Sequence, residues 1–274
     1  MVKGVPERKV TASVVTLAPN ELLKGRCALV TGGTSGIGFC IAKAFLDSGA
    51  TVIITGHDED RLKKSYSILD KSYHNKIFSV VLDNTKVETF KDTFQKTLSL
   101  INGKQIDILV NNAGVLGGQI KNTTVDEYDM VMNTNLRGVF FLSQMFGKYM
   151  KEEGIGGNIL NIASSSSFRP AVSAYTLSKW GVRGLTLGLA RSLAPYGITV
   201  NGIAPGLTAT PMQHKDTSEE LAANTILGRY ALPEEIASMA VILVSGLGKT
   251  ILGDIVCMTG GSALLSFEDM DYSF

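Results

Sequence analysis

The sequence predicts a doubly wound α/β domain built on a parallel, seven-stranded sheet. Short, nearly continuous apolar runs alternate with amphipathic stretches, which is the order that βαβ units produce. A glycine-rich turn directly follows the first apolar run. Strands with so few polar residues indicate a parallel sheet that helices cover on both faces. In such a sheet the ligand binds at the carboxyl ends of the strands.

The predicted strands lie in apolar runs at residues 26–31, 51–55, 77–82, 105–110, 157–163, 198–204 and 254–258. Helical spacing follows the first strand and stops at Gly49, since glycine favours helix ends. Longer helices are predicted at about residues 125–150 and 173–193. One domain then covers residues 25–274, and residues 1–24, which carry no clear pattern, are expected to form an N-terminal arm.

The composition excludes several kinds of partner. The 26 Lys and Arg residues nearly balance 25 Asp and Glu residues, with no long block of like charge, so we expect no nucleic-acid partner. The cysteines and histidines are scattered, so no metal site is predicted. No apolar run reaches the roughly 18 residues that span a bilayer. The N-terminus also lacks a signal-peptide pattern, and we therefore expect a cytoplasmic protein without membrane contact.

The turn after the first strand has the composition of a phosphate-binding loop. Residues 31–38 read Thr-Gly-Gly-Thr-Ser-Gly-Ile-Gly, with glycines spaced as Gly-x-x-x-Gly-x-Gly. Glycine lets the backbone turn tightly and approach a pyrophosphate, whose charge the helix N-terminus favours. A plain tight connection between strand and helix is the alternative. The residues predicted to bind a dinucleotide here are Gly32, Thr34, Ser35, Gly36, Ile37 and Gly38.

The end of the second predicted strand indicates which cofactor is bound. An acidic residue there bonds the ribose 2′-hydroxyl of NAD and repels the 2′-phosphate of NADP. Gly56 stands at this position and leaves space without charge, and His57 follows it as a possible donor to a phosphate. NADP(H) is therefore favoured and NAD(H) remains possible, since no arginine occupies either position.

Tyr175 and Lys179 lie four residues apart, on one face of a predicted helix. A free tyrosine has a pKa of roughly 10, too high for a base at neutral pH. A nearby cation stabilises phenolate and lowers that pKa. The pair therefore fits an acid/base role, although an exposed helix face would give the same spacing.

Two further polar residues fit the same chemistry. Ser164 ends the fifth predicted strand, 11 residues before Tyr175, so its hydroxyl can point at the same carbonyl oxygen. Serines also occupy positions 165–167, and the choice of Ser164 rests on its offset from the strand. Asn135 falls inside the first long helix, where an amide side chain is a poor helix former. It is either a polar group with a task or an exposed position.

Taken together, these residues resemble the short-chain dehydrogenase/reductase family, whose members have a Rossmann-type fold. The likeness runs from about residue 24 to residue 264. The matching elements follow in chain order: Thr31-Gly32-x3-Gly36-Ile37-Gly38, Asp83, Asn111-Asn112-Ala113-Gly114, Asn135, Ser164, Tyr175-x3-Lys179, and Asn201-Gly202-Ile203-Ala204-Pro205-Gly206 with Thr210.

The resemblance implies a role for each matched residue. Ser164 would polarise the carbonyl, Tyr175 would pass the proton, and Lys179 would lower the tyrosine pKa and bond the nicotinamide ribose. Asn135 would hold a water in the proton relay, and Asp83 would bond the adenine amine. The resemblance also places further residues against the cofactor: Asn84, Asn112, Ala113, Gly114, Pro205, Gly206, Thr208 and Thr210.

Some positions depart from the commonest family pattern. The gap of 11 residues between Ser164 and Tyr175 is shorter than the frequent 13, and it is shared by a branch with Arg-Pro-Ala-Val before the tyrosine, as at residues 169–172. Thr259 stands where aspartate is common, and Ala231 stands where glycine is common. The chain thus looks like a 3-oxoacyl-carrier-protein reductase or a carbonyl reductase, and the shorter gap is expected to affect the shape of the substrate pocket and not the mechanism.

The predicted function is hydride transfer between NAD(P)(H) and a carbonyl or secondary alcohol, with Tyr175 as general acid/base. One alternative is a non-catalytic sensor or scaffold that binds NAD(P), although such proteins usually lose the tyrosine or lysine. Another is a dehydratase or epimerase, which usually carries a long C-terminal domain. The substrate is expected to be a small carbonyl or alcohol. Its pocket would be lined by residues 116–120, 168–173 and 207–227.

Excess apolar surface on the two long helices predicts an oligomer. Phe140, Phe141 and Phe146 on the first, with Trp180 and Leu187 on the second, exceed what one face against a sheet requires. Deep core helices are the alternative. In the resembling family these helices form a dimer seam, and the C-terminal strand and tail, here residues 261–267, complete a tetramer. We expect a homotetramer, or a homodimer.

Overall fold

Strands and helices alternate along the chain, as the hydrophobic pattern predicts. The computed structural model describes residues 21–213, 223 and 225–262. The strands are β1 (Cys27–Val30), β2 (Thr51–Gly56), β3 (Ile77–Val81), β4 (Ile108–Asn111), β5 (Asn158–Ile162), β6 (Thr199–Pro205) and β7 (Ile255–Met258). The helices are α1 (Gly36–Asp47), α2 (Glu59–Asp70), α3 (Phe90–Leu100), α4 (Val125–Met132), α5 (Gly138–Glu152), α6 (Ala174–Leu193) and α7 (Pro233–Val244).

The strands form one parallel sheet in the order β3-β2-β1-β4-β5-β6-β7. The predicted seven-stranded sheet is confirmed, and each predicted strand end lies within three residues of the observed one. The strand order reverses between β1 and β4, so a crevice opens there at the carboxyl ends of the strands. Every predicted site residue that follows a strand is brought to this edge.

Alternate residues of the strands face two separate cores. Val30 of β1 and Ile54 of β2 pack with α1 and α7, where Phe45 is fully buried. Leu29 and Ile53 point to the opposite face, which α3, α5 and α6 cover. Both faces are therefore dry, which explains why the strands contain so few polar residues.

The first long helix differs from its prediction in one respect. Between α4 and α5 the residues Asn133–Arg137 form a π-helical turn, so the helix runs from residue 125 to residue 152 with one widened turn. Such turns commonly occur at functional sites. Asn135 lies in this turn and is fully buried, so the interpretation of an exposed position is wrong.

The folded part of the chain begins before residue 25. Glu21–Leu23 form a short 3₁₀ helix, and Leu23 is fully buried in the core with Phe45. The rest of the predicted N-terminal arm, residues 1–20, lies outside the described residues. Among the helices that are described, none combines the length and apolarity that a membrane span requires.

Candidate active site

Ser164, Tyr175 and Lys179 come together where β5 ends and α6 begins. Ser164 follows β5 directly, and Ser173 starts α6 by accepting a hydrogen bond from the Thr176 amide at 3.1 Å. Ser164 is almost fully buried, and its hydroxyl hydrogen-bonds the Tyr175 phenol. The neighbouring Ser167 hydroxyl donates to the Ser164 carbonyl at 2.6 Å, so it stabilises the turn instead.

The Lys179 ammonium is buried and reaches back to the strand. Only 5% of its surface is exposed, and its Nζ donates to the Ile162 carbonyl oxygen at 2.7 Å. Burial lowers the pKa of Lys179 to about 8. The interpretation of residues 175–179 as an exposed helix face is therefore wrong for the lysine.

The electrostatics of Tyr175 differ from expectation. Burial raises its pKa above the ordinary value, and the hydrogen bond from Ser164 opposes that rise only in part. Lys179 Nζ lies 5.7 Å from the centre of the tyrosine ring, but the expected lowering of the pKa does not occur in the chain alone. The cause is that both groups are withdrawn from water, which favours neutral phenol over phenolate.

Asn135 ties the π-turn to the segment after β4. Its Oδ1 accepts from the Val115 amide at 2.8 Å, and its Nδ2 donates to the Val115 carbonyl at 2.9 Å. The same amide nitrogen donates to the Ser178 hydroxyl at 3.2 Å, and Ser178 in turn donates to the Tyr175 carbonyl at 2.7 Å. Ser178 was not among the predicted residues, since a serine inside a helix gives no distinctive signal.

The glycine turn lies beside the segment after β4. Gly32 and Gly36 adopt left-handed backbone conformations, with φ of +63° and +52°, which glycine tolerates best. A Cβ at Gly32 would stand 2.9 Å from the Ala113 Cα, and a Cβ at Gly38 would collide with the Asn112 amide and the Gly32 carbonyl. The glycine turn and the segment after β4 can therefore approach this closely only because no side chains stand between them.

Thr31, the residue before the first glycine of the turn, joins the glycine turn to the segment after β4. The Thr31 hydroxyl accepts hydrogen bonds from the Asn112 and Ala113 amides, each at 3.0 Å. Asn112 also donates its side-chain amide to the carbonyls of Thr31 at 2.9 Å and Gly32 at 3.1 Å. The ends of β1 and β4 are thus locked together on both sides of the crevice.

The end of β2 corrects one expectation. Gly56 does not leave open space, because a Cβ there would lie 2.8 Å from Thr34 Cγ2. His57 is exposed beside it. Asp58, the next acid along the chain, caps α2 by accepting from the Arg61 amide at 2.9 Å, so its carboxylate already has a structural role.

Asp83 and Asn84 follow β3 at the same edge. Burial opposes ionisation of Asp83, but hydrogen bonds from the Thr85 amide at 2.9 Å and hydroxyl at 2.7 Å outweigh it, so the Asp83 pKa lies below its usual value. Asn84 is buried, and its backbone carbonyl closely approaches Gly138. A charged carboxylate is therefore held at the crevice.

The segment after β6 passes over the start of α1. A Cβ at Gly36 would touch Thr210 Cγ2 at 3.3 Å. Gly206 donates its amide to the Met258 carbonyl at 2.9 Å, and Thr208 pairs with Ala231. Pro205 and Thr210 are both buried in this arrangement. Of the predicted cofactor residues at 205–210, Thr210 lies against the glycine turn.

These features fit a dinucleotide. The N-cap residue of α1, Ser35, makes no side-chain capping hydrogen bond. The first backbone amides of α1 are therefore left without a side-chain partner and can bind an anion. The backbone between Gly32 and Gly38 has no space for a Cβ atom at either of these two glycines. Gly114 is nearby, where an added Cβ would be 3.3 Å from Asn135 Oδ1 and 3.7 Å from Lys179 Nζ. The crevice therefore joins a phosphate-type loop to the Tyr175 cluster. In the described part of the chain, no cluster of three or more His, Cys, Asp or Glu side chains could hold a metal.

Side chains of α6 hold the turn that follows Ser164. Arg183 donates to the Ser167 carbonyl at 3.2 Å, and its guanidinium lies 4.0 Å from the centre of the Phe168 ring. Trp180 Nε1 donates to the Arg169 carbonyl at 2.8 Å. The helix that carries Tyr175 therefore also positions the serine turn.

Comparison with known proteins agrees with this geometry. Residues 26–221 match the profile of the short chain dehydrogenase family. A 3α-hydroxysteroid dehydrogenase of Mediterraneibacter gnavus is 36% identical over 251 residues, covering 88% of this chain and 98% of the relative. The structure of a Burkholderia cenocepacia short chain dehydrogenase in complex with NADP has a TM-score of 0.76 and 30% identity, covering 87% of this chain and 98% of the other.

A third protein is similar in fold and carries the other nicotinamide cofactor. It is a 3-ketoacyl-(acyl-carrier-protein) reductase from Brucella melitensis complexed with NADH, with a TM-score of 0.78, 28% identity, and coverage of 88% of this chain and 100% of that one. The chain thus belongs to the short-chain dehydrogenase family. It is an NAD(P)-dependent oxidoreductase that acts on alcohol or carbonyl groups.

The buried lysine generates a prediction about stability. A buried lysine destabilises the fold while it is charged, so the penalty is complete below pH 8 and is relieved as pH rises toward the unfolded value of about 10.4. We expect Lys179→Met to gain stability relative to wild type at pH 7, and this difference to shrink by up to about 3 kcal/mol toward pH 10. Urea unfolding of the cofactor-free protein at several pH values measures it.

Lys64→Met, which replaces an exposed lysine on α2, is the matched control. Its stability difference from wild type should not follow the same pH trend. A Lys179→Met difference that stays constant from pH 7 to pH 10 would contradict the buried ammonium. Loss of the bond to the Ile162 carbonyl adds an offset independent of pH and leaves the slope unaffected.

Proposed function

We propose that Tyr175 is the general acid/base of a reaction that interconverts a ketone and a secondary alcohol. The observation that carries this assignment is the meeting of the Ser164 hydroxyl, the Tyr175 phenol and the Lys179 ammonium at one edge of the sheet. That edge also holds the glycine turn, so reacting atoms and cofactor would share one crevice. Asn135 is the proposed fourth member of this group. It hydrogen-bonds the Val115 backbone and the Ser178 hydroxyl, and Ser178 in turn bonds the Tyr175 carbonyl.

The residues divide the work by chemistry. When bound, the nicotinamide supplies or accepts the hydride. Ser164 donates a hydrogen bond to the substrate oxygen, and Tyr175 gives its phenolic proton to that oxygen during reduction. The raised pKa of Tyr175 keeps it protonated for this role. In the oxidation direction Tyr175 has to accept the proton as phenolate, and the Lys179 ammonium nearby stabilises that charge.

Around the glycine turn, the proposed cofactor contacts follow from position. Amides of α1, with Thr34, Ser35, Gly36, Ile37 and Gly38, would hold the pyrophosphate. Asp83, whose carboxylate Thr85 keeps ionised, would accept from the adenine amine. The remaining contacts would come from further residues at or near the strand ends: Gly32, Gly56, His57, Asn84, Asn112, Ala113, Gly114, Lys179, Pro205, Gly206, Thr208 and Thr210.

NADP(H) is the proposed preference over NAD(H). No carboxylate stands at Gly56, and the nearest acid, Asp58, is turned to the Arg61 amide. His57 is exposed at the same strand end and can donate to a 2′-phosphate. Structural relatives with NADP and with NADH are both known, so the preference depends on these residues alone.

The first test of the function removes one hydroxyl. Tyr175→Phe should lower turnover by at least ~10²-fold, since general acid catalysis typically contributes that much. Binding of NADPH, followed by fluorescence titration, should remain nearly as in wild type. Retention of more than half of the wild-type rate would refute the assignment of Tyr175.

Cofactor choice is tested at the end of β2. His57→Arg should tighten NADPH binding severalfold and leave NADH binding unchanged, because a guanidinium is permanently charged and can donate two hydrogen bonds to a phosphate. The matched control is His74→Arg, another exposed histidine, which should change neither affinity. A wild type that prefers NADH tenfold at all pH values would contradict the proposed preference.

The contact between Gly56 and Thr34 sharpens the reverse experiment. Gly56→Asp alone would place its Cβ 2.8 Å from Thr34 Cγ2, so misplacement of the carboxylate would obscure the result. Combining it with Thr34→Ser removes that methyl group. The double variant should favour NADH, and Thr34→Ser alone should keep the wild-type preference.

A homotetramer, or a homodimer, is proposed for the assembly, and a cytoplasmic location also remains a prediction. Phe140 and Phe141 of α5 and Trp180 and Leu187 of α6 are exposed, between 38% and 50%, and belong to the two helices expected to form a two-fold contact. Phe146 does not belong to that surface, because it is fully buried in the core of its own subunit. Residues 263–267 of the proposed tail contact lie outside the described residues.

Light scattering at micromolar concentration tests the assembly. Phe140→Glu should reduce the mass, because a charge in an apolar two-fold contact is repeated on both subunits. Leu100→Glu replaces a residue of similar exposure at the end of α3 and should leave the mass unchanged. A wild-type monomer, or a Phe140→Glu protein of unchanged mass, would defeat this proposal.

A further inference from the structure

Exposed apolar side chains lie on segments at the edge of the sheet that carries Ser164 and Tyr175. We name this set the apolar rim, and its members are Leu116, Ile120, Val172, Leu207, Ile226 and Leu227. They lie on segments that follow β4, β5 and β6 and on the segment before α7. Strands β4, β5 and β6 end at the same edge of the sheet at which Ser164 lies, so the rim segments stand at the edge where a substrate is expected to bind.

Hydrogen bonds link these segments into one border. The Ile120 amide donates to the Val172 carbonyl at 2.8 Å, three residues before Tyr175. The Ala231 amide donates to the Leu207 carbonyl at 2.8 Å, which joins the segment after β6 to the segment before α7. The Leu227 amide donates to the Gly260 carbonyl at 2.9 Å. Arg169 completes the border by donating to the Ser262 carbonyl at 2.9 Å.

The exposure of the rim is large for its residue types. Ile120 and Ile226 are each 76% exposed, and Val172 and Leu227 are each 51% exposed. Single exposed apolar side chains are ordinary on a protein surface. A set of them on linked segments at the catalytic edge of the sheet is instead characteristic of a ligand-binding surface.

The arginines on the described rim segments are engaged elsewhere, and Lys121 is exposed beside Ile120. Arg229 forms a two-pronged ion pair with Glu235, with Nη–Oε distances of 2.8 and 2.7 Å. Arg169 bonds the Ser262 carbonyl, and its own carbonyl accepts from Trp180. The rim therefore offers hydrocarbon contact, whereas a sugar acid or a phosphorylated ketone needs dedicated donors and cations.

We propose that the substrate is an uncharged ketone or secondary alcohol whose body beside the reacting carbon is hydrocarbon, larger than a single six-membered ring. The proposal rests on the reaction proposed above and adds the class of molecule that it acts on. Each CH₂ group that the rim removes from water strengthens transition-state binding by roughly fourfold. Polyhydroxy keto acids gain nothing from the rim, because their hydroxyl and carboxylate groups lose water without finding partners.

A matched series of ketones tests this selectivity. The probes are cyclohexanone, the bicyclic ketone 2-decalone, and a six-carbon polyhydroxy keto acid, each reduced with NADPH and with NADH at saturating cofactor. We expect kcat/KM for 2-decalone to exceed that for cyclohexanone by at least about tenfold, which needs fewer than two of the added CH₂ groups to be buried. The keto acid should be the poorest of the three. Equal values for the two cyclic ketones, or preference for the keto acid, would overturn the proposal and leave ketone reduction standing.

A rim variant shows whether these side chains produce the preference. Ile120→Asp should abolish most of the advantage of 2-decalone over cyclohexanone, measured as the ratio of the two kcat/KM values in the same variant. Ile68→Asp, which replaces a half-exposed isoleucine on α2, is the matched control and should retain the full advantage. If Ile120→Asp instead lowers the mass in light scattering and leaves selectivity unchanged, the rim is a subunit contact and the proposal fails.

Binding to a catalytically impaired protein separates this proposal from the assignment of Tyr175. Calorimetry measures the affinity of Tyr175→Phe for 2-decalone in the presence of NADP. Adding Ile120→Asp to this variant should weaken the affinity at least about tenfold, and adding Ile68→Asp should not. That result supports the rim whether or not Tyr175→Phe remains active. An affinity that is insensitive to Ile120→Asp overturns the rim proposal, whatever the role of Tyr175.

Discussion

A buried ammonium governs the geometry of the site. Lys179 bonds the carbonyl of Ile162, the last residue of β5, and it stands one helical turn after Tyr175. A charge withdrawn from water is less costly when it is hydrogen-bonded, so while Lys179 is charged this bond favours the observed position of α6. Because Ser164 follows β5, the same bond sets the distance between the serine and the phenol. The two hydroxyl groups therefore meet as a consequence of how the lysine is accommodated.

The helices behind this site are held by a chain of buried amides and hydroxyls. Asn111 of β4 donates to Ser143 of α5 at 3.0 Å and to Asn161 of β5 at 2.8 Å, and Asn161 donates to Thr186 of α6 at 2.9 Å. Apolar packing alone allows a helix to slide or rotate slightly on a sheet, whereas buried hydrogen bonds permit one arrangement. This chain fixes α5 and α6 against β4 and β5, and with them Asn135 and Tyr175.

The sheet could be predicted because apolar runs identify parallel strands, and the four catalytic candidates were chosen from residue spacing and the family resemblance. What the sequence could not provide depends on contacts between distant residues. The burial of Asn135 depends on Val115, the crowding at Gly56 depends on Thr34, and neither contact leaves a local pattern. Phe146 was assigned to an outer surface because an apolar helix does not reveal which of its faces meets the sheet and which meets a second subunit.

Burial acts on Tyr175 and Lys179 in opposite directions, and this has a consequence for the reaction. The pKa of the lysine falls to about 8, while that of the tyrosine rises above its ordinary value. In the chain alone, burial therefore disfavours both the ammonium and the phenolate. The chain by itself holds Tyr175 as phenol, the form that protonates a carbonyl during reduction. Alcohol oxidation requires phenolate, and a further positive charge in the crevice is what would stabilise it. Proton transfer at Tyr175 is in this way coupled to the charge of whatever occupies the crevice.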